Sequence, residues 1–175
     1  PSRPGWPVVV HGGDGFAPDF LWLDFDGTGG GSNPSRCATG EPELVARHAD
    51  RLWAFCGSGA PLAGWGRSLG DTLAAGLGAA DADGDGFLEV LTQSWGAQVA
   101  FVNVTGAPSP GWPRRAGAEG RLVERGELTF PREPRVFPAS AAPVAADVAA
   151  AGRPRIVTLS AGGLLTALDD AGRQP

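Results

Sequence analysis

Hydrophobic positions in this chain come in short runs that break at Asp, Gly or Pro. Phe20-Leu21-Trp22-Leu23 ends at Asp24, Leu77-Gly78-Ala79-Ala80 at Asp81, and Val144-Ala145-Ala146 at Asp147. A Gly-bearing loop and a second run follow each: Pro42-Glu43-Leu44-Val45, Leu88-Glu89-Val90-Leu91 and Pro154-Arg155-Ile156-Val157. Across a short turn comes a third run, in Arg51–Phe55, Gln98–Val102 and Leu164–Leu168. Each third run leads into a glycine turn, at Gly57-Ser58-Gly59, Thr105-Gly106-Ala107 and Ala171-Gly172-Arg173. Short runs bounded by turn residues predict strands, and the pattern excludes long helices. No window approaches about 18 uninterrupted apolar residues, so no transmembrane helix is expected.

The pattern is also an internal repeat. Gly-Trp dipeptides recur at Gly5-Trp6, Gly64-Trp65 and Gly111-Trp112, and the interval from Glu43 to Trp65 nearly equals that from Glu89 to Trp112. Three units result, 1–62, 63–109 and 110–175, with insertions at 28–41 and 114–138. A unit of roughly 45 to 60 residues with about four short strands has the size of a β-propeller blade. The expected fold is therefore all-β, a propeller segment of about three four-stranded blades. Because three blades cannot close a ring, the segment is expected to belong to a larger propeller or to complete a ring with another chain. The sequence opens on Pro1 rather than Met, as a processed product or a piece of something longer would.

Composition sharpens this picture. The chain holds 28 Gly and 16 Pro among 175 residues, a density that can mark disorder, but 42% of residues are hydrophobic, enough to build a core. The net charge of −5 is diffuse, which argues against nucleic acid as a partner. The arginines between Arg114 and Arg135 are interleaved with Glu119, Glu124, Glu127 and Glu133, a near-neutral solvated face. Cys37 and Cys56 lack CxxC spacing and a zinc-like His partner, leaving two readings. They form a disulfide, which places the protein outside the cytosol, or they are unrelated buried thiols.

The segment Asp81-Ala82-Asp83-Gly84-Asp85-Gly86-Phe87-Leu88-Glu89 alternates carboxylates in a loop that glycines allow to wrap. Hard oxygen ligands in such a loop suit calcium. The expected ligands are Asp81, Asp83, Asp85 and Glu89 with the carbonyl of Phe87. Thr92 stands where an EF-hand needs its bidentate Glu, so this is not an EF-hand. The pattern resembles the FG-GAP/VCBS repeats, calcium-loop propeller blades of integrin α-subunits and many secreted bacterial proteins. That resemblance spans nearly the whole chain, is tightest from Leu77 to Pro113, and implies that these five residues bridge the first and second strands of a blade. Asp24, Asp26 and Glu43 form a degenerate second candidate site, interrupted by the first insertion. The third copy has lost the ligands and carries Arg155 where the final Glu would stand.

Other chemistries compete for the same residues. Leu21 to Thr28 also matches the opening DxDGT motif of haloacid-dehalogenase-like phosphatases, with Asp24 as nucleophile and Asp26 as general acid. Those enzymes alternate parallel strands with helices, which this pattern does not offer, and no Lys is present to neutralise a phosphoryl group. His11 and His48 read as surface or turn residues, and no GxSxG accompanies them. Gly27-Thr28-Gly29-Gly30-Gly31 lacks the helix a phosphate loop requires. Leu164 to Gly172 resembles pyrroloquinoline-quinone-type propeller repeats, an alternative with the same fold. The tryptophans read first as packing or turn-anchoring residues and second as sugar-stacking platforms.

The expected protein is an extracytoplasmic, calcium-binding propeller module without catalysis in this stretch. Its loop insertions would face a protein or glycan partner, since loops on a rigid scaffold carry recognition. The alternative is the non-catalytic propeller of a secreted enzyme such as a polysaccharide lyase or peptidase.

Overall fold

A computed structural model describes residues 5–8, 10, 19–25, 37, 41–73, 75–95, 98–115, 141–148, 150, 152–159 and 165–174. The remainder of both insertions, Asp26, His11 and the 27–31 glycine run lie outside the described residues. The described residues form ten strands: β1 (Asp19–Leu23), β2 (Glu43–His48), β3 (Arg51–Phe55), β4 (Gly78–Ala80), β5 (Glu89–Gln93), β6 (Gln98–Val102), β7 (Arg114–Arg115), β8 (Val144–Ala146), β9 (Arg155–Leu159) and β10 (Leu165–Leu168). They form three antiparallel sheets, β1-β2-β3, β4-β5-β6-β7 and β8-β9-β10. No helix occurs among the described residues, and none is long and apolar enough to cross a membrane.

The three sheets repeat one register. Leu23 faces Glu43, Ala80 faces Glu89, and Ala146 faces Arg155, so the residue just before each loop Asp pairs with the same position of the second strand. Leu44, Val90 and Ile156 likewise occupy one place, paired with Phe55, Val102 and Leu168 across the next hairpin. Among the described residues the expected fourth strand is present only in the second sheet. Arg114 and Arg115, which the sequence assigns to the second insertion, are instead β7, paired to Val99 and Gln98. In the first repeat the same position is a single bridge between Arg51 and Ser68, shortly after Gly66 turns the chain at φ 86°.

Alternation along the strands sorts the core into two layers. Leu23, Val45, Leu52 and Ala54 of the first sheet meet Val90, Ala100 and Val102 of the second. The opposite face of that second sheet supplies Leu91, Val99 and Phe101, which meet Ile156 and Leu168 of the third. The middle sheet is thus covered on both faces, and every residue of β5 is buried. Within the second layer Thr158 Oγ1 and Gln93 Oε1 lie 2.6 Å apart in a buried hydrogen bond, as a polar pair in a core requires.

Two further devices tie neighbouring sheets. On one side the leading strands approach one another. Asp19 Oδ2 accepts from the Leu77 amide at 3.2 Å, and a Cβ at Gly78 would strike the carbonyl of Pro143. On the other side each Gly-Trp, at the head of its repeat, reaches the glycine turn of the sheet that follows it in the chain. Trp6 Nε1 donates to Gly57 O at 3.1 Å, Trp65 Nε1 to Val104 O at 3.1 Å, and Trp112 Nε1 to Asp170 O at 2.7 Å. The acceptors sit in the three glycine turns that follow β3, β6 and β10. The adjoining glycine is required by close approach: a Cβ at Gly5 or Gly64 would collide with the carbonyl of Ser58 or Thr105. The turn-anchoring role expected of tryptophan therefore holds, and it joins the head of each repeat to its last glycine turn.

Cys37 and Cys56 form a disulfide with Cα atoms 5.5 Å apart, deciding between the two readings of these residues. It fastens the first insertion to the end of β3.

Candidate metal-binding loop

The loop from Asp81 to Glu89 connects β4 to β5, and its carboxylates organise its own backbone. Asp81 Oδ1 accepts from Gly84 N at 2.7 Å and Oδ2 from Gly86 N at 3.1 Å. Asp83 Oδ1 accepts from Asp85 N at 3.2 Å, and Asp85 Oδ1 from Phe87 N at 2.9 Å. Gly84 and Gly86 take φ values of 82° and 90°, the left-handed region that favours glycine. The result is a tight coil whose carboxylates hold its own amides, with Asp81 half-buried and Asp83 and Asp85 exposed.

Glu89 closes the coil from beneath. It stands at the start of β5, 1% exposed, and its Oε2 accepts from Ala82 N at 3.0 Å. Ligand oxygens of Asp81, Asp83 and Glu89 all lie within 4.8 Å of one another. Asp85 stands outside this group, and Phe87 contributes its amide to Asp85. Burial first, and then the charges of Asp83, Asp85 and Asp81, hold the Glu89 carboxyl up at about 8 against the opposing Ala82 hydrogen bond. The Asp83 carboxyl is likewise raised, first by burial and then by its acidic neighbours, among them Asp170. Asp170 belongs to the turn after β10 and entered no sequence-based ligand set. Its nearness comes from the Trp112 clasp on that turn, a tertiary relation that loop spacing does not carry.

A cluster of carboxylates held this way is electrostatically unfavourable until protons or a cation neutralise it. Between its ordinary value of 4.5 and about 8, Glu89 is protonated in the folded protein and ionised in the unfolded chain. The folded state then binds more protons, so its stability falls as pH rises through that window. In chelator, the melting temperature is expected to decline from pH 5 to pH 8, and Glu89→Gln is expected to flatten that decline. A wild-type profile level across the window would refute the assignment.

The second candidate set is seen in part. Asp24 follows β1, and buried Glu43 accepts from Phe25 N through Oε2 at 3.1 Å, the counterpart of Glu89 and Ala82. Asp26 lies outside the described residues. β1 pairs antiparallel with β2, whereas a phosphatase carrying Asp24 as nucleophile would need a parallel strand running into a helix. In the third copy Asp147 Oδ2 accepts from Gly152 N at 2.8 Å, keeping the turn, and Arg155 occupies the place of Glu43 and Glu89.

Fold and site together define an all-β stack of antiparallel sheets bearing an acidic loop on its middle sheet. No family model matches the chain, and no curated protein matches it.

Proposed function

We infer that this chain is a calcium-binding propeller segment of an extracytoplasmic protein, serving as a binding or scaffolding module for a protein or glycan. The observation that carries the reading is the loop itself. Three hard-oxygen ligands from Asp81, Asp83 and Glu89 converge within 4.8 Å at the joint between two strands. Their donor set is that of calcium, and their mutual repulsion is what a divalent cation relieves. Support for the propeller comes from the shared register, the layered cores and the gathering of leading strands on one side. The disulfide supports an oxidising compartment. The insertion at 28–41 and the part of the second insertion beyond β7, 116–138, remain the proposed recognition elements.

Extracellular modules bind calcium at about 0.1–1 mM. At about 1 mM calcium, mass action then supplies roughly 0.4–1.4 kcal/mol per site, enough to fix a loop but not to fold a domain. Calorimetric titration with calcium is expected to show one site of that affinity, lost in Asp83→Ala. A second site lost in Asp26→Ala would add the first repeat. Absence of binding, or binding untouched by Asp83→Ala, would sink the reading. Magnesium-dependent hydrolysis of a phosphate ester abolished by Asp24→Asn would replace it with the phosphatase.

A further inference from the structure

Positions that the two inner layers bury recur on the outermost sheets without cover from the described residues. Leu165 occupies the place of Leu52 and Val99, yet it is 66% exposed. Val157, in the place of the fully buried Val45 and Leu91, is half-buried, with Val144 and Leu159 exposed beside it. At the opposite end of the stack, Leu44 takes the place of buried Val90 and Ile156. It lies in a groove of about 540 Å³ with Trp6, Asp19, Phe20, Trp22 and Ala46. Phe20 and Trp22 are more than half exposed there.

The tryptophans say what each open face lacks. Trp65 packs at 5.4 Å on Phe25, which is fully buried, and Trp112 shares a core cluster with Ala82. Phe25 and Ala82 each follow a loop aspartate. The third residue of this kind is Val148, after Asp147, and it is 59% exposed. Conversely, Trp6 grips the first sheet's turn while its flank lines the groove. Among the described residues, one end of the stack therefore offers a tryptophan without its apolar partner, and the other offers the partner without its tryptophan.

We propose that the first sheet of one copy docks on the third sheet of a second copy, rebuilding the interface found twice within the chain. Val148 of one copy then packs on Trp6 of the other. The chain supplies both halves of this joint, so its complement is the same molecule. A glycan fits the groove less well: its one charged side chain, Asp19, is already engaged by the Phe20 and Leu77 amides, leaving a largely apolar wall for sugar hydroxyls. The inference rests on the stacked sheets and not on the cation, so calcium binding and association fail independently.

Light scattering after size exclusion tests it on the full chain. Wild type is expected at a mass above one chain, and Trp22→Glu and Leu165→Glu each at one chain. Both side chains are exposed, so near-UV circular dichroism is expected to show folded variants. Mixing the two variants should restore a two-chain species through the one pairing left intact. Wild type at the mass of one chain, or association that survives both substitutions, overturns the proposal. A one-chain species whose tryptophan fluorescence responds to a soluble oligosaccharide gives the groove to sugar and also overturns it.

Discussion

Trp112→Ala is expected to lower the unfolding free energy by about 3–5 kcal/mol, the range for truncating a buried aromatic side chain. Trp112 is 7% exposed, and its ring meets Phe101 edge-on at 5.6 Å in the layer shared by the second and third sheets. Its Nε1 also holds the turn at Asp170. The substitution removes apolar burial, an aromatic pair and a hydrogen bond at one joint. Trp112→Phe separates these contributions. It keeps a ring against Phe101 and gives up the N–H, so a loss of about 1 kcal/mol is expected from the missing hydrogen bond, plus a share for the smaller ring. Urea midpoints of the two variants check the order. Equal losses would mean that the hydrogen bond, and not the packing, holds the joint.

Reducing the Cys37–Cys56 bond is expected to cost about 2–4 kcal/mol, chiefly by freeing the unfolded chain. The bond closes a 19-residue separation that spans all of β2 and ends where β3 gives way to the first glycine turn. Both half-cystines pack against the layer between the first and second sheets. Reduction therefore loosens the insertion and the turn that Trp6 grips, since Gly57 follows Cys56 directly. Urea unfolding with and without reductant measures the loss. The double variant Cys37→Ser/Cys56→Ser should match reduced wild type and ignore reductant. Unchanged stability on reduction would contradict the expected role.

Much of the architecture was legible because strand, loop aspartate and glycine turn recur in order. Nine strands fall where apolar runs meet Asp or Gly. β7 escaped because two adjacent arginines have no alternation to read, and its pairing depends on the chain's direction after Trp112. The two-layer core was hidden as well. A sequence shows that Val90 and Leu91 are both apolar, but their burial on opposite faces requires a sheet on each side. At the site, alternating carboxylates announced Asp81, Asp83 and Glu89 correctly as neighbours. The same spacing suggested an equal place for Asp85, which holds the Phe87 amide as Asp83 holds the Asp85 amide but stands outside the converging three. Asp170 had no local signal, because its approach to Asp83 is made by another sheet.

The Gly-Trp joints also impose an order in time. Each tryptophan leaves the ribosome well before the carbonyl it grips: Gly57 lies 51 residues after Trp6, Val104 39 after Trp65, and Asp170 58 after Trp112. At synthesis rates of about 5–20 residues per second, each joint waits roughly 2 to 12 s for its other half. A nascent repeat can pair its strands as they emerge, but the indole at its head stays unsecured until the glycine turn at the end of the same repeat has emerged. Assembly of this protein thus runs as a relay from the N-terminal side, each unit closing its own clasp as its last turn emerges.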